Sequence, residues 1–274
     1  MMKKLLKDKF AVICLIILLV IILLGIFAPF VSKYDPLEGN IIQKFQKPSI
    51  KHLLGTDYLG RDTFTRLIYG IRTTAFLSIL TMVPTILLGL TVGIISGYFR
   101  GIVDEILMRV CDIMLSFPSQ VTVLALVGAM GIGIKNVIIA NIVVKWMWYA
   151  RMIRGNVIKQ NNKEYILFSK TIGAKAPYIF RKHIITSILP ELIILITLDI
   201  GWIILSISSL SFLGLGVQAP TPEWGSMLSE SRKLIGTKPE QMLAPGLAIL
   251  IVVAIFNLLG DSLRDAFTPK EDKE

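Results

Sequence analysis

Five stretches of this chain run for 20 or more residues without a single Asp, Glu, Lys or Arg, and that spacing dictates the class of fold. They cover 10–32 (23 residues), 73–99 (27), 113–134 (22), 200–222 (23) and 241–260 (20). A bilayer core about 30 Å thick is crossed by about 20 helical residues rising 1.5 Å each, so each stretch is long enough to span. A sixth apolar segment, 136–150, is shorter at 15 residues and is interrupted by Lys145. The span containing Ile200 is expected to start upstream, near Ser187.

Hydrocarbon offers backbone N–H and C=O groups no partner, so spanning segments are helices or a closed barrel. The runs are continuous rather than alternating, which excludes a barrel. The expected fold is an all-α integral membrane protein with six transmembrane helices. Composition agrees: 54% of residues are hydrophobic, 18% are charged and the mean hydropathy is +0.69. A soluble domain is about 45–50% apolar and about 25% charged. Cys14 and Cys111 fall in or beside apolar segments, as small buried hydrophobes do. The first apolar run follows Lys3, Lys4, Lys7 and Lys9, is too long for a signal-peptide core and has no A-x-A-like site before Ser32, so it reads as an uncleaved span.

Six spans place both termini on one side of the plasma (inner) membrane. Loops on the terminal side carry 17 Lys/Arg against 11 on the other, so both termini are expected in the cytoplasm. The expected order is a cytoplasmic 1–9, a six-span domain over 10–265 and a cytoplasmic tail, 266–274. Within the domain lie an outer loop at 31–72, an inner loop at 151–187 and an outer loop at 213–242. The net charge of +10 reads as topology and attraction to membrane lipid, with no nucleic acid as partner.

Loops this long usually carry function. In the inner one, Asn161-Asn162-Lys163-Glu164 is expected to open a short helix with an Asx cap and an acid in its first turn. Tyr165, Phe168 and Ile172 make a narrow apolar stripe opposed by Lys163 and Lys170. Gly173 suits the left-handed conformation that stops a helix, and Pro177 the first turn of the next. The pattern fits either a hairpin lying on lipid or a knob docking in a partner's groove. In the outer segments, His52-Leu53-Leu54-Gly55-Thr56-Asp57-Tyr58-Leu59-Gly60-Arg61-Asp62 and Leu210-Ser211-Phe212-Leu213-Gly214-Leu215-Gly216-Val217-Gln218-Ala219-Pro220-Thr221-Pro222-Glu223-Trp224-Gly225 are turn-rich. Their glycines and prolines fix the backbone, and Asp57, Arg61, Asp62 and Glu223 are placed to pair or cap.

Segment 164–174 resembles the "EAA" loop of ABC-importer permeases, the coupling helix that contacts the ATPase subunit, although Leu167-Phe168-Ser169 stands where that family has Glu-Ala-Ala. Together with the two outer motifs, it gives the chain a resemblance to the dipeptide/oligopeptide/nickel branch of those permeases. Asn136-Val137-Ile138-Ile139-Ala140, Trp148-Tyr149-Ala150-Arg151-Met152 and Leu198-Asp199-Ile200-Gly201 look most like the nickel-import members. The resemblance implies a nickel path, free or chelated, with di/oligopeptides or another metal chelate as alternative cargo. It also implies a second homologous permease, two ATPase subunits holding ATP and Mg, and an extracytoplasmic substrate-binding protein, with no cofactor on this chain. Coupling would fall to Glu164, Tyr165, Phe168, Ile172, Gly173 and Ala174. The outer gate would use Gly55, Thr56, Asp57, Gly60, Arg61, Asp62, Gly214, Gly216, Glu223 and Trp224.

Inside the membrane, Gly89, Gly93 and Gly97 form a small-xxx-small stripe for close helix contact, within this chain or against a second permease. Pro84 and Pro118 are expected to bend their spans. Lys145 and Asp199 are intramembrane charges, each costing about 2.5–3.5 kcal/mol at mid-bilayer on insertion scales. Asp199 either lines the pathway with Lys145 as counter-charge or forms a structural pair with it. No G-x-x-x-x-G-K-[ST] is present, so nothing in the sequence cradles nucleotide phosphates, and the chain is not expected to be an enzyme. His52 and His183 are the only histidines and fall on opposite predicted sides, so the sequence offers no metal-ligand cluster. An ion-coupled secondary transporter is the rival from another class, resting on Asp199 alone.

Overall fold

The computed structural model describes residues 8–267, so the expected cytoplasmic ends at 1–7 and 268–274 lie outside the described residues. Nine helices of eight or more residues carry the described fold: α1 (Lys9–Ile26), α2 (Thr63–Phe99), α3 (Gly101–Leu115), α4 (Ser119–Met130), α5 (Ile134–Asn161), α6 (Glu164–Thr171), α7 (Ala176–Phe212), α8 (Trp224–Ser231) and α9 (Glu240–Phe267). Between Phe180 and Ile184, α7 carries a stretch of π-helix. Among the described residues the nearest thing to a sheet is one bridge, Thr56 to Asp62.

Helices α1, α2, α7 and α9 are long and apolar enough to cross a membrane. The expected third span is not one straight helix. Residues 116–118 interrupt it at Ser116-Phe117-Pro118, and α3 and α4 meet at 89°, so the bent pair counts as a fifth candidate. Proline before a helix start fixes φ and disfavours helical angles in the residue ahead, which is the reason for the break. Pro84, in contrast, sits inside an uninterrupted α2. The sixth expected span corresponds to α5, whose 28 residues are long enough but too charged, with Lys135, Lys145, Arg151, Arg154 and Lys159, to be counted with the others.

Loop boundaries also differ from those expected. Helix α2 begins ten residues before the charge-free window, and α5 and α7 extend into the expected inner loop up to Asn161 and from Ala176. The charges that end an apolar window do not end a helix; that takes a cap, a glycine or a proline. At 37 residues, α2 reaches about 55 Å, beyond a bilayer of about 40–45 Å including headgroups.

The largest helix contact is α2 against α5. A side chain at Gly93 would come within 2.7 Å of the Ala150 carbonyl, and one at Gly97 within 2.8 Å of Val157 Cβ. One at Gly89 would strike Tyr149 Cβ. The glycine stripe thus seats α5 on α2 of the same chain. In a second group, α8 and α9 pack on α7 with Ile204, Trp224, Met227, Ile249 and Val252 as a shared core, and α1 packs on α9 and α2, with Cys14 against Ile255 and Leu259 of α9.

Gly93→Val is expected to lower stability by about 1–3 kcal/mol through overpacking. Gly155→Ala, on α5 where nothing lies within 4 Å, is expected to leave it unchanged or slightly raised. Thermal unfolding of the detergent-purified protein measures both.

Candidate functional site

The first outer motif folds as one turn around Asp57. Its Oδ1 accepts from the N–H groups of Leu59 and Arg61, both at 2.9 Å. Gly60 holds φ +76°, where an added Cβ would collide with the Asn40 carbonyl. Asp62 then caps α2, accepting from Thr65 N at 2.7 Å, while its other oxygen pairs with His52 Nδ1 at 2.9 Å. His52 stacks on Tyr34. Gly55 and Thr56 hold the other end of the turn, with Thr56 N donating to the Gln46 carbonyl.

The second outer motif closes α7 and opens α8. Gly214, at φ +81°, and Gly216 bring the chain back so that Val217 N donates to Ser211 Oγ at 3.1 Å. Glu223, fully buried, caps α8 with both oxygens, accepting from Gly225 N and Ser226 N at 2.9 and 2.8 Å and from Ser208 Oγ at 3.0 Å. Trp224 Nε1 donates to the Leu67 carbonyl of α2 at 3.1 Å.

These motifs, 150 residues apart in sequence, meet through Glu230 and Arg66, which lie outside both, and Arg61 of the first. Arg61 donates to Asp57 Oδ2 and to Glu230 Oε2, both at 2.6 Å, and Arg66 donates to the same Glu230 oxygen at 3.0 Å. The arginine side chains are only 2% and 1% exposed. Burial works against the Arg61 charge, yet Asp57 and Glu230 together hold the guanidinium above its ordinary pKa. A cavity of about 370 Å³ opens beside Glu230, between Tyr58, Gln218 and Lys233. The roles of Arg66 and Glu230 were not singled out in the sequence. Arg66 had a signal, a cation at the head of an apolar helix that needs an acid, whereas Glu230 on a short amphipathic helix had none.

Between α5 and α7 runs a polar seam. Ser206 donates to Asn141 at 2.7 Å, Lys145 pairs with Asp199 at 2.9 Å, Tyr149 donates to Asp199 Oδ2 at 2.6 Å and Asn156 donates to Glu191 at 2.8 Å. Positions advance along α5 as they recede along α7, the register of an antiparallel pair. Lys145 and Asp199 are 15% and 14% exposed, and Lys145 Nζ also lies 4.3 Å from the Trp202 ring centroid.

The inner element differs from expectation at its start. Lys163, without a side-chain acceptor, occupies the N-cap of α6, while Asn161 and Asn162 end α5. Asn161 is occupied elsewhere, donating to the Gly97 carbonyl at 3.4 Å and accepting from Lys170 Nζ at 3.2 Å. Ile166 and Ser169 face the bundle, whereas Tyr165, Phe168 and Ile172 are 45%, 66% and 66% exposed. Glu164 is exposed on the same helix. Gly173, at φ +82°, stops α6, with Ala174 N reaching back to the Ser169 carbonyl at 3.0 Å, and Pro177 stands in the first turn of α7. An apolar stripe on a short helix therefore points away from the chain that carries it. Among the described residues, no three His, Cys, Asp or Glu side chains gather as a metal site.

A family model described as binding-protein-dependent transport system inner membrane component matches residues 89–273. Another, the N-terminal TM domain of oligopeptide transport permease C, matches residues 1–48. The chain is 46% identical to the metal-staphylopine import system permease protein CntC of Staphylococcus aureus, covering 98% of this chain and 93% of that one. It is 41% identical to the dipeptide transport system permease protein DppC of Alkalihalophilus pseudofirmus, covering 98% and 88%. Identity to the nickel transport system permease protein NikC of Escherichia coli is 40%, covering 94% and 93%.

Glu230→Gln leaves two buried guanidinium groups short of a counter-charge, and a broken buried pair costs about 3–5 kcal/mol. Glu105→Gln, which breaks an ion pair whose side chains are 75% and 68% exposed, is expected to change stability by less than about 1 kcal/mol. Unfolding midpoints of the two variants separate these outcomes.

Proposed function

From its place in the family of binding-protein-dependent transport system inner membrane components, to which the chain belongs as a permease subunit of an ABC importer, we propose that it forms, with a second homologous permease, the path for nickel, free or chelated. In this reading α5 is the sixth span, held in the membrane by its partners, and both termini are cytoplasmic. Two ATPase subunits, carrying ATP and Mg, dock from inside on Glu164, Tyr165, Phe168, Ile172, Gly173 and Ala174. A substrate-binding protein delivers cargo at the outer turns formed by Asp57–Asp62 and Gly214–Trp224. No catalytic residue is needed, because alternating access requires a bundle with two arrangements.

The observation that supports this most is the outward-facing stripe of α6. Exposed Phe168 and Ile172 on a rigid knob, between a fixed α5 end and a glycine stop, have the chemistry of an apolar groove-filling partner contact. ATPase closure would press α6, and because α6 joins α5 to α7, the push would reach the polar seam. Nickel is supported by the nickel transport permease at 40% identity, a metal chelate by the metal-staphylopine permease at 46%, and a peptide, as the second reading, by the dipeptide permease at 41%.

Phe168→Asp is expected to insert normally, since the side chain touches little of its own chain, and to lose ATPase co-purification and uptake. Gly173→Pro is expected to keep insertion and lose coupling. In proteoliposomes holding the assembled importer and its binding protein, uptake of labelled nickel, alone or with a chelator, is expected to stop when ATP hydrolysis is blocked. Uptake that persists on an ion gradient would overturn the reading, and uptake of dipeptide alone would move it to the peptide branch.

A further inference from the structure

The geometry points to Asp199 as a cation-binding station whose resident occupant is the chain's own Lys145, displaced by the positive group of the cargo. The inference rests on the proposed path and names what that path recognises. Three observations carry it. First, Lys145 Nζ lies 2.9 Å from Asp199 Oδ1, 4.3 Å from the Trp202 ring centroid and 5.4 Å from that of Trp148. A carboxylate with two indole faces is the chemistry that holds an ammonium group or other compact cation. Second, Asp199 Oδ2 is held independently by Tyr149 at 2.6 Å, so the carboxylate keeps its place when Oδ1 changes partner.

Third, the pair is open where the molecule's structural ion network is closed. Arg61 and Arg66 are each at most 2% exposed and share acids from two elements. Lys145 and Asp199 are 15% and 14% exposed on this chain taken alone. Lysine supplies a compact charge on a flexible four-carbon stem, which can swing aside without breaking a planar fork of bonds. Exchange of one cation for another keeps Asp199 neutralised throughout, so cargo enters without a bare carboxylate in the membrane. It also leaves readily, because Lys145 returns, and a conduit must release what it admits.

The test uses the assembled importer in nanodiscs, titrated with Ni²⁺ and separately with methylammonium while tryptophan fluorescence is read. Lys145→Met empties the station of its resident and is expected to tighten binding of at least one probe about tenfold, the change carried by one close charge contact. Asp199→Asn is expected to abolish that binding. The neutral pair Lys145→Met, Asp199→Asn, which leaves no orphaned charge, is expected to assemble by size exclusion yet bind neither probe. Saturation by Ni²⁺ alone assigns the station to a metal cation, and by methylammonium alone to an amine-bearing solute. Unchanged affinity in Lys145→Met, absent binding in that variant, or binding retained in the neutral pair would overturn the inference. Uptake by the wild-type complex, measured in parallel, reports on the importer reading: its loss sinks that reading, whereas normal uptake with flat titrations sinks only this one.

Discussion

A helix that hydrocarbon would reject stands at the centre of this bundle, and the contact that holds it there is the seat of α5 on the glycines of α2. Helix α5 carries five Lys or Arg residues, and an isolated charge at mid-bilayer costs about 2.5–3.5 kcal/mol on insertion scales. Between membrane helices the packing gain comes from close backbone approach, which Gly89, Gly93 and Gly97 permit by having no side chain where Tyr149, Ala150 and Val157 press in. Three of the five charges are answered by acids of neighbouring helices. Arg154 meets Asp104 at 2.5 and 2.7 Å, Arg151 pairs with Asp112 and Lys145 pairs with Asp199. Acids on α3 and α7 thus make α5 tolerable, and α5 in turn fixes where α6 hangs.

Much of this was legible in the amino-acid order, for a definite reason. Hydropathy runs report which helices can stand in lipid, so α1, α2, α7 and α9 each overlap a charge-free window. The stripe at Gly89, Gly93 and Gly97 announced a close contact, and the positive φ of Gly173 met the turn that its neighbours called for. What the sequence could not carry was pairing at a distance. Nothing in Glu230 distinguishes it from a solvated surface acid until α8 is folded against α2, when it becomes the acceptor shared by Arg61 and Arg66. The Asn161-Asn162 dipeptide misled for a related reason. Asparagine suits a helix start and a helix end alike, and the tertiary bonds to Gly97 and Lys170 decided for the end.

Two kinds of interface follow from these contacts, and they differ in what it takes to move them. The α2–α5 seat presses the α2 glycines directly against the backbone and Cβ atoms of α5, which leaves little room to adjust. The outer network is similarly stiff: one glutamate oxygen binds two arginines, both arginines lie within reach of Asp57, and the neighbouring motif is tied in by Trp224. The α5–α7 seam is different. Its polar rungs, spaced a turn or two apart, are set into an apolar core in which Val137, Val144 and Ile153 of α5 are buried with Ile188, Ile203 and Ile207 of α7.

The placement of α6 gives that difference a direction. It links the end of α5, locked to α2, with the start of α7, which belongs to the group formed with α8 and α9. A force on the exposed face of α6 is therefore applied where these two groups of helices meet, as they also do along the α5–α7 face and at the outer α2–α8 network. Rigid bodies transmit such a force without absorbing it, and the weakest joint yields first. The α5–α7 face contains Lys145 and Asp199, so motion there would act on this ion pair.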